Sequence, residues 1–347
     1  FMMRWHPYLM AHKVHLTTAD FPPLNVENFE DLAWWEEALP FANFNLSLGR
    51  RRLTQEDFDA LLVPERLARI RGLDMTKHPE AKDFLLELGR ATEPLPLQKL
   101  ILRSMDLGLN HVSSVVRPIA FENVAWLDLA RNDIGHAIVR LLTRDVNLKH
   151  LRHLDIARVG LTTDGAQELA REPMLIWQLE SLWLDHNPIG PRAAHRLLHG
   201  MPDADASNLR TLGLAGVDLG DMIMRLLGQA PVLDTLTSLD LGYNRLSDRG
   251  LLDLFSVYSP ANLRELRLSC NRITNVGGNA LAFREDLENL RVLDLSYNAM
   301  NSTTVNQLAK NPALGHLREL ILTGNDFNSR ARSKLLASPN IHAHITW

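Results

Sequence analysis

Residues 290–300 read LRVLDLSYNAM, with leucine at the first, fourth and sixth positions and asparagine at the ninth. The same template, L-x-x-L-x-L-x-x-N-x-L, returns along most of the 347-residue chain. Its clear copies begin at residues 97, 124, 151, 179, 209, 236, 263, 290 and 317, which lie 27 to 30 residues apart. A period of this length indicates an array of similar structural units stacked side by side.

Each copy predicts a short strand with inward-pointing leucines, then a turn, then a helix such as residues 163–170. One unit cannot bury its own leucines, whereas stacked units bury a continuous core. Strands lie about 5 Å apart and helices need about 8–10 Å, so strands inside and helices outside must curve the stack. The sequence therefore predicts an α/β horseshoe with a parallel sheet on its concave face and helices on its convex face.

These repeated residues resemble the leucine-rich repeat, specifically the subtype with units of about 27 to 29 residues seen in ribonuclease inhibitor. The resemblance covers residues 41–347, with degenerate units at 41–96 that begin at Phe41 and Leu67, clear units at 97–340, and a terminal strand at 341–347. We expect residues 1–40, which contain Trp5, Trp34 and Trp35, to form a helical cap or extension. Arginine outnumbers lysine, which favours a bacterial source.

The asparagine of the template predicts a ladder between neighbouring turns. Its amide both donates and accepts hydrogen bonds, and a buried turn leaves backbone groups that need such partners. Three copies carry Met105, Val159 and Val217 at this position. We expect bound water or altered turns at Val159 and Val217.

Composition argues against several classes of protein. The chain has 37 basic and 41 acidic residues and a net charge of −4, which is unlike a general nucleic-acid binder. Cys270 is its one cysteine, so an internal disulfide is impossible and a reducing, cytoplasmic compartment is expected. Its apolar runs fall short of the roughly 18 residues that a membrane span needs, so we expect no membrane partner.

The sequence lacks the phosphate-binding, metalloprotease and hydrolase motifs that indicate catalysis. His195 and His199 are four residues apart on a predicted helix, but without a third ligand they are interpreted as surface histidines. The basic triplet at residues 50–52 is interpreted as a solvated turn rather than a phosphate contact. We expect no enzyme activity, no cofactor and no metal.

Alternation along the strands predicts two columns of solvent-facing side chains. Two aspartates would be neighbours in one column without a basic residue between them, and two tryptophans would stay exposed, which favours contact with a partner. The alternative is that the tryptophans cover each other and the sheet. This candidate cluster consists of Trp126, Asp128, His153, Asp155 and Trp183, with Asp185 and His186 close by.

A second candidate lies on the turn side of later copies. Tyr243 and Tyr297 flank Cys270 there, although ordinary surface aromatics are an equal alternative. In the neighbouring column Arg267 stands between Asp240 and Asp294. A cross-strand ladder of ion pairs is favoured there over a binding role.

The predicted function is a non-enzymatic module that binds a protein or peptide on the concave sheet. Eleven strands about 4.8 Å apart, with about 15 Å of usable length, give a face of about 750 Å², close to the roughly 800 Å² that one partner contributes to a standard interface. The alternatives are a regulator of an enzyme, such as a GTPase activator, and a bacterial effector that acts on a host protein. The sequence leaves the oligomeric state open.

Overall fold

The computed structural model describes residues 24–27, 31–38, 42–49, 52–143, 147–171, 176–201 and 206–347. These residues divide into two compact units. The first unit contains the described residues of Phe1–Ile134 and Arg140–Leu154, and the second unit those of Gly135–Val139 and Asp155–Trp347. Trp5, Phe41, residues 50–51 and the centre of the loop after Met201 lie outside the described residues.

Short strands and short helices alternate along both units. The described strands are β1 (Leu24–Val26), β2 (Phe44–Ser47), β3 (Ile70–Asp74), β4 (Lys99–Ile101), β5 (Trp126–Asp128), β6 (His153–Asp155), β7 (Ser181–Trp183), β8 (Thr211–Gly213), β9 (Ser238–Asp240), β10 (Glu265–Arg267), β11 (Val292–Asp294), β12 (Glu319–Ile321) and β13 (His344–Thr346). The described α-helices are α1 (Leu32–Ala38), α2 (Gln55–Leu61), α3 (Pro64–Leu67), α4 (Lys82–Leu88), α5 (Leu109–Val116), α6 (Ile138–Thr143), α7 (Thr163–Leu169), α8 (Pro191–His199), α9 (Met224–Gly228), α10 (Asp248–Phe255), α11 (Asn275–Ala282), α12 (Ser302–Leu308) and α13 (Ser329–Leu336).

Within each unit the strands are parallel and follow one another in chain order. This arrangement confirms the predicted α/β solenoid. The register is the one that parity along the strands predicts, since Leu266 lies opposite Leu239 and Leu293, and Arg267 opposite Asp240. The template leucines form the core and are fully buried, as Leu239, Leu266 and Leu293 illustrate.

The sheet of the first unit begins earlier than the sequence indicates. Strand β1 pairs in parallel with β2, and Asn45 Nδ2 donates to Asn25 Oδ1 over 3.1 Å. In helix α1 Leu32 is buried, and the rings of Trp34 and Trp35 lie edge to edge with their centroids 4.9 Å apart. The segment assigned to a cap thus contributes a strand before residue 41. At the other end, the predicted terminal strand is present as β13, paired with β12.

Asparagine joins neighbouring turns in the predicted way. The Oδ1 atom of the buried Asn244 accepts from the N–H groups of Val217 and Leu219, both over 3.2 Å. Its Nδ2 atom donates to Leu214 O over 2.7 Å and to Leu241 O over 3.2 Å. One side chain thus satisfies backbone groups of two successive copies, which would otherwise be buried without partners.

Turns are altered where the following copy lacks this asparagine. Where the following copy carries Val217 in place of asparagine, Ile189 N–H donates instead to Asn187 O two residues earlier, over 2.8 Å. Gly190, at φ +77°, then donates to Val217 O over 2.9 Å. The same tight turn links Ile134 N–H to Asn132 O over 2.9 Å. The altered turns thus precede Val159 and Val217, whose own N–H groups donate to Asn187 Oδ1 and Asn244 Oδ1 as in the regular ladder.

Replacing Asn244 by alanine would leave buried donors and acceptors of two copies without partners. Each such group costs about 1–3 kcal/mol, so we expect Asn244→Ala to lower the free energy of unfolding by about 3 kcal/mol or more. Urea denaturation measures this change. The matched control is Asn289→Ala, because Asn289 is exposed and donates one hydrogen bond, to Ala261 O. Equal losses in the two variants would contradict the role of the ladder.

Candidate functional site

The two units divide the predicted cluster between them. Trp126, Asp128 and His153 belong to the first unit, and Asp155, Trp183, Asp185 and His186 to the second. The turn-side residues Tyr243 and Tyr297, together with Arg267, also belong to the second unit.

In the first unit, Trp126 packs between side chains of both neighbouring strands. Lys99 Nζ lies 4.7 Å from the centroid of the indole, and the ring of His153 lies 4.6 Å from it at an angle of 32°. Such a cation–π contact is worth about 0.5–1 kcal/mol at an exposed site. Trp126 is half-buried as a result. The indole is thus held in one orientation on the face of the sheet.

Asp128 is a buried ion-pair partner rather than an exposed contact residue, which corrects the prediction for this position. Arg103, from the turn of the preceding copy, donates to Asp128 Oδ2 from Nε over 2.9 Å and from Nη2 over 2.7 Å. The negative charge of Asp128, which was expected to repel Asp155, is thus compensated by a cation outside the column. The alternation of side chains along the strand does not predict this ion pair, because Arg103 lies beyond the strand, in the turn.

The aspartates of the column share a structural role that the sequence analysis also missed. In each, Oδ1 accepts from the backbone N–H two residues further on, over 2.8 or 2.9 Å. Such a bond fixes the first turn after the strand. The aspartates concerned are Asp74, Asp128, Asp155, Asp240 and Asp294, with Thr76, Ala130, Ala157, Gly242 and Ser296 as donors.

Asp185 performs this task for a copy that has no aspartate of its own. Gly213 occupies the column position, and Ala215 N–H donates instead to Asp185 Oδ1 over 2.7 Å. A Cβ atom at residue 213 would overlap the Asp185 carboxylate and lie 2.8 Å from Trp183 Cδ1. The missing side chain thus makes the room that Asp185 fills. A glycine in a column of aspartates is the sequence signal that an aspartate of the neighbouring copy accepts the hydrogen bond instead.

The position of Asp185 is electrostatically unfavourable for its charged form. Burial, together with the smaller effects of nearby Asp240 and Asp155, raises its pKa to about 6 against the opposing effect of the Ala215 N–H. Burial also raises the pKa of Asp240. Because the folded chain binds the Asp185 proton more tightly than the unfolded chain, stability falls as the pH rises from about 4 through 6. At neutral pH this carboxylate is therefore ionised at a cost to folding.

Exposed aromatic side chains line the turns beside these carboxylates. His186, Tyr243, Cys270 and Tyr297, here called the turn-side row, occupy the same position in their copies, each at a φ between +51° and +57°. The intervening Gly216, at φ +63°, belongs to the same series. A non-glycine residue in this region is uncommon and costs about 1 kcal/mol or more. The turn therefore fixes the direction in which the Cα–Cβ bond of each of these residues leaves the backbone.

Contacts between members give the turn-side row further rigidity. The ring centroids of His186 and Tyr243 are 5.2 Å apart at 62°, an edge-on contact that the absent side chain of Gly216 permits. A hydrogen bond to Cys270 raises the pKa of Tyr243. The ring of Tyr297 covers Gly324 in the next copy. Tyr243 and Tyr297 are nevertheless 54% and 58% exposed, respectively, so large apolar surfaces remain open to solvent.

Arg267 does not form the predicted ladder. Its Nη1 atom lies 2.8 Å from Glu265 Oε2 on the same strand, rather than bridging Asp240 and Asp294. Two residues along a strand point to the same face, so this pairing needs no contact across strands. Asp240 and Asp294 are held instead by their own turns.

Within the described part of the chain, no group of three or more histidine, cysteine, aspartate or glutamate residues is placed to hold a metal. The rings of His195 and His199 lie 4.3 Å apart, and a ring nitrogen of His199 is 3.0 Å from Leu226 O. Burial, followed by the nearby His199 and Arg196, lowers the pKa of His195. Among the described helices, none has both the length and the apolar character needed to cross a bilayer.

Comparison with known proteins agrees with this repeating geometry. Two family models described as leucine rich repeat match the chain, one over residues 261–327 and the other over residues 147–170 and 233–255. The chain thus contains leucine-rich repeats over these residues, and the α/β solenoid has the strand–helix alternation of such repeats. Proteins with this fold generally use their extended surfaces to bind other proteins. The matched models describe repeats and no catalytic family.

A search of curated proteins finds no match. Among solved structures, the chain is similar to an internalin from Listeria monocytogenes, with 15% sequence identity and a TM-score of 0.46. That match covers 90% of this chain and 82% of the internalin chain.

The exchange between Gly213 and Asp185 predicts a rescue. Gly213→Asp alone should lower the free energy of unfolding by about 1–3 kcal/mol, since it overlaps Asp185 and adds a like charge. Asp185→Ser alone should cost about 1–2 kcal/mol by leaving Ala215 N–H without its acceptor. In the double variant the introduced aspartate would cap Ala215 as Asp240 caps Gly242, which should recover part of the loss, while the contact of the new Cβ with Trp183 Cδ1 keeps stability below wild type. Urea denaturation at pH 7 measures the cycle, and additive losses would contradict the exchange.

Proposed function

We propose that the second unit is a non-enzymatic interaction module that binds a protein or peptide along the turn-side row and the sheet face beside it. The contact residues in this proposal are Trp183, Asp185, His186, Tyr243, Arg267 and Tyr297. In the first unit, Trp126 and His153 form a smaller candidate contact. Asp128 and Asp155 have a structural role in their turns and are expected to contribute through the local charge.

The observation that carries the proposal is the exposure of Tyr243 and Tyr297 on a rigid support. Large exposed aromatics are a cost for a monomer in water, and tyrosine and tryptophan are enriched among residues that dominate binding energy. The left-handed turns fix the backbone of both tyrosines, and contacts with His186 and Gly324 restrict their rings before any partner arrives. Little conformational entropy would therefore be lost when a partner covers them.

The dimensions suit a segment of protein chain. Four strand-to-strand steps separate His186 from Tyr297, which corresponds to about 19 Å at about 4.8 Å per step. An extended peptide of about six residues spans that distance. A partner could thus contact the whole row with one strand-like segment.

The proposal includes the finer predictions made from the sequence. Steps of 27 residues with helices between the strands support the ribonuclease-inhibitor-like subtype. The arginine content supports a bacterial source, and the single cysteine supports a cytoplasmic location. Regulation of an enzyme such as a GTPase, or action of a bacterial effector on a host protein, would be a consequence of binding such a partner.

Selection from a random peptide display library tests the proposal. Peptides selected on the wild-type chain should lose at least tenfold in affinity for the Tyr243→Ser/Tyr297→Ser variant, because two exposed anchors are removed. Fluorescence anisotropy of the labelled peptides measures the affinities.

The control is Phe283→Ser, which removes another exposed aromatic, at the end of α11 and 68% exposed. Affinities for this variant should stay within twofold of wild type. Selected peptides that bind the tyrosine variant as tightly as the wild type would refute this location for the site.

A further inference from the structure

We propose that the segment bound along the turn-side row is basic, and that its lysine or arginine side chains bind at the carboxylates of Asp185 and Asp240. This inference rests on the proposed function and specifies the chemistry of the partner. It is carried by the distribution of charge beside the row, and by the exposed tyrosines that supply the apolar part of the same surface.

The end of the strands that adjoins the row carries an excess of negative charge. Asp185, Asp240 and Asp294 lie there, and each of them accepts a backbone N–H through Oδ1. Within the described residues, none of these three carboxylates forms an ion pair with a lysine or arginine. A backbone N–H carries only a partial positive charge, so it neutralises the group only in part. The charge of Arg267 also acts to lower the pKa of Asp240, whereas no lysine or arginine is among the groups that shift the pKa of Asp185.

Four cations of the same copies bond to groups other than these carboxylates, although the charge of Arg267 also acts on Asp240. Arg267 is paired with Glu265, and Arg245 with Asp218. Arg210 and Arg291 lie just before their strands and donate to carbonyls at that end, Arg210 to Leu209 O over 2.9 Å and Arg291 to Leu290 O over 3.2 Å. These two arginines therefore lie at the opposite end of the strands from the carboxylates, and the row adjoins the acidic end.

Asp185 and Asp240 flank the one position in this part of the column that has no side chain. Gly213 lies between them in strand order, with Trp183 and Asp185 beside it and Asp240 on the next strand. Two carboxylates near one another disfavour the folded state, and a cation supplied by a partner close to Asp185 would relieve that cost. An indole close to the carboxylates adds the electrostatic attraction of its ring for an ammonium or guanidinium group.

Aromatic and acidic groups therefore meet on one surface. A segment with basic residues and apolar side chains would satisfy both, since its apolar groups cover Tyr243 and Tyr297 while its cations reach Asp185 and Asp240. An acidic segment would face repulsion from the carboxylates. Charge complementarity of this kind sets partner choice more than raw affinity.

The test is an unbiased selection followed by a charge-exchange cycle. Peptides are selected from a random 16-residue display library on the wild-type chain and, separately, on Asp185→Asn/Asp240→Asn. Asparagine keeps an Oδ1 acceptor for Ala215 and Gly242, so both turns should persist, and circular dichroism melting verifies the fold. Each lysine or arginine of a selected peptide is then changed to glutamine in a synthetic copy.

We expect wild-type selections to be enriched in lysine and arginine and the asparagine variant to lose that enrichment. A selected basic peptide should bind Asp185→Asn/Asp240→Asn at least tenfold more weakly, whereas its glutamine copy should bind both proteins equally. The control is Glu285→Gln/Glu288→Gln, which removes two negative charges after α11. It should leave the affinity of the basic peptide within twofold of wild type.

Two results would overturn the inference in distinguishable ways. Peptides that depend on Tyr243 and Tyr297 but show no basic enrichment, or that respond equally to both pairs of charge changes, would refute the basic partner and leave the proposed function standing. Selected peptides that depend on neither the tyrosines nor the carboxylates would refute the proposed function and the inference together.

Discussion

The structure depends on one constraint: every copy buries a turn whose backbone groups must find partners. A single copy cannot supply them, so the amide of Asn244 reaches back to Val217 and Leu219 while it closes its own turn. The starts of the helices are likewise joined to neighbouring copies by hydrogen bonds. Asp248, at the start of one helix, accepts from the N–H and hydroxyl groups of Thr274, the N-cap of the next. Polar bonds thus set the register, while the leucines supply the apolar burial.

Much of this arrangement follows from sequence because it is periodic. Strand register, the two columns of side chains and the asparagine ladder all come from one repeated template. The altered turns before Val159 and Val217 follow from the loss of an amide at these two positions. Exceptions to the period were harder to predict. Strand β1 lacks the leucines of the template. The hydrogen bond from Ala215 N–H to Asp185 depends on the space left by the missing side chain of Gly213. Arg103 reaches Asp128 from a turn, where strand parity gives no direction.

The candidate site changes in character when these exceptions are included. From the sequence, the aspartates of the column are predicted to be available for contact. In the structure, most of them accept a backbone N–H and stabilise the turn after their strand. Asp185 differs, because it is drawn into a neighbouring copy and kept near Asp240 with its pKa raised. The tyrosines of the turn-side row owe their orientation to the same turns that the asparagine ladder maintains. Stability and the proposed binding surface therefore share one framework.

Amide hydrogen exchange tests that framework most directly. Leu161, Leu219 and Leu246 lie in turns after their strands, and their amides donate to the side chains of Asn187, Asn244 and Asn271 in the following copies. If the ladder closes these turns, the three amides should exchange as slowly as the strand amide of Leu239, with opening free energies near that of global unfolding. Exchange at the rate of an exposed loop would show that the copies are not joined in this way.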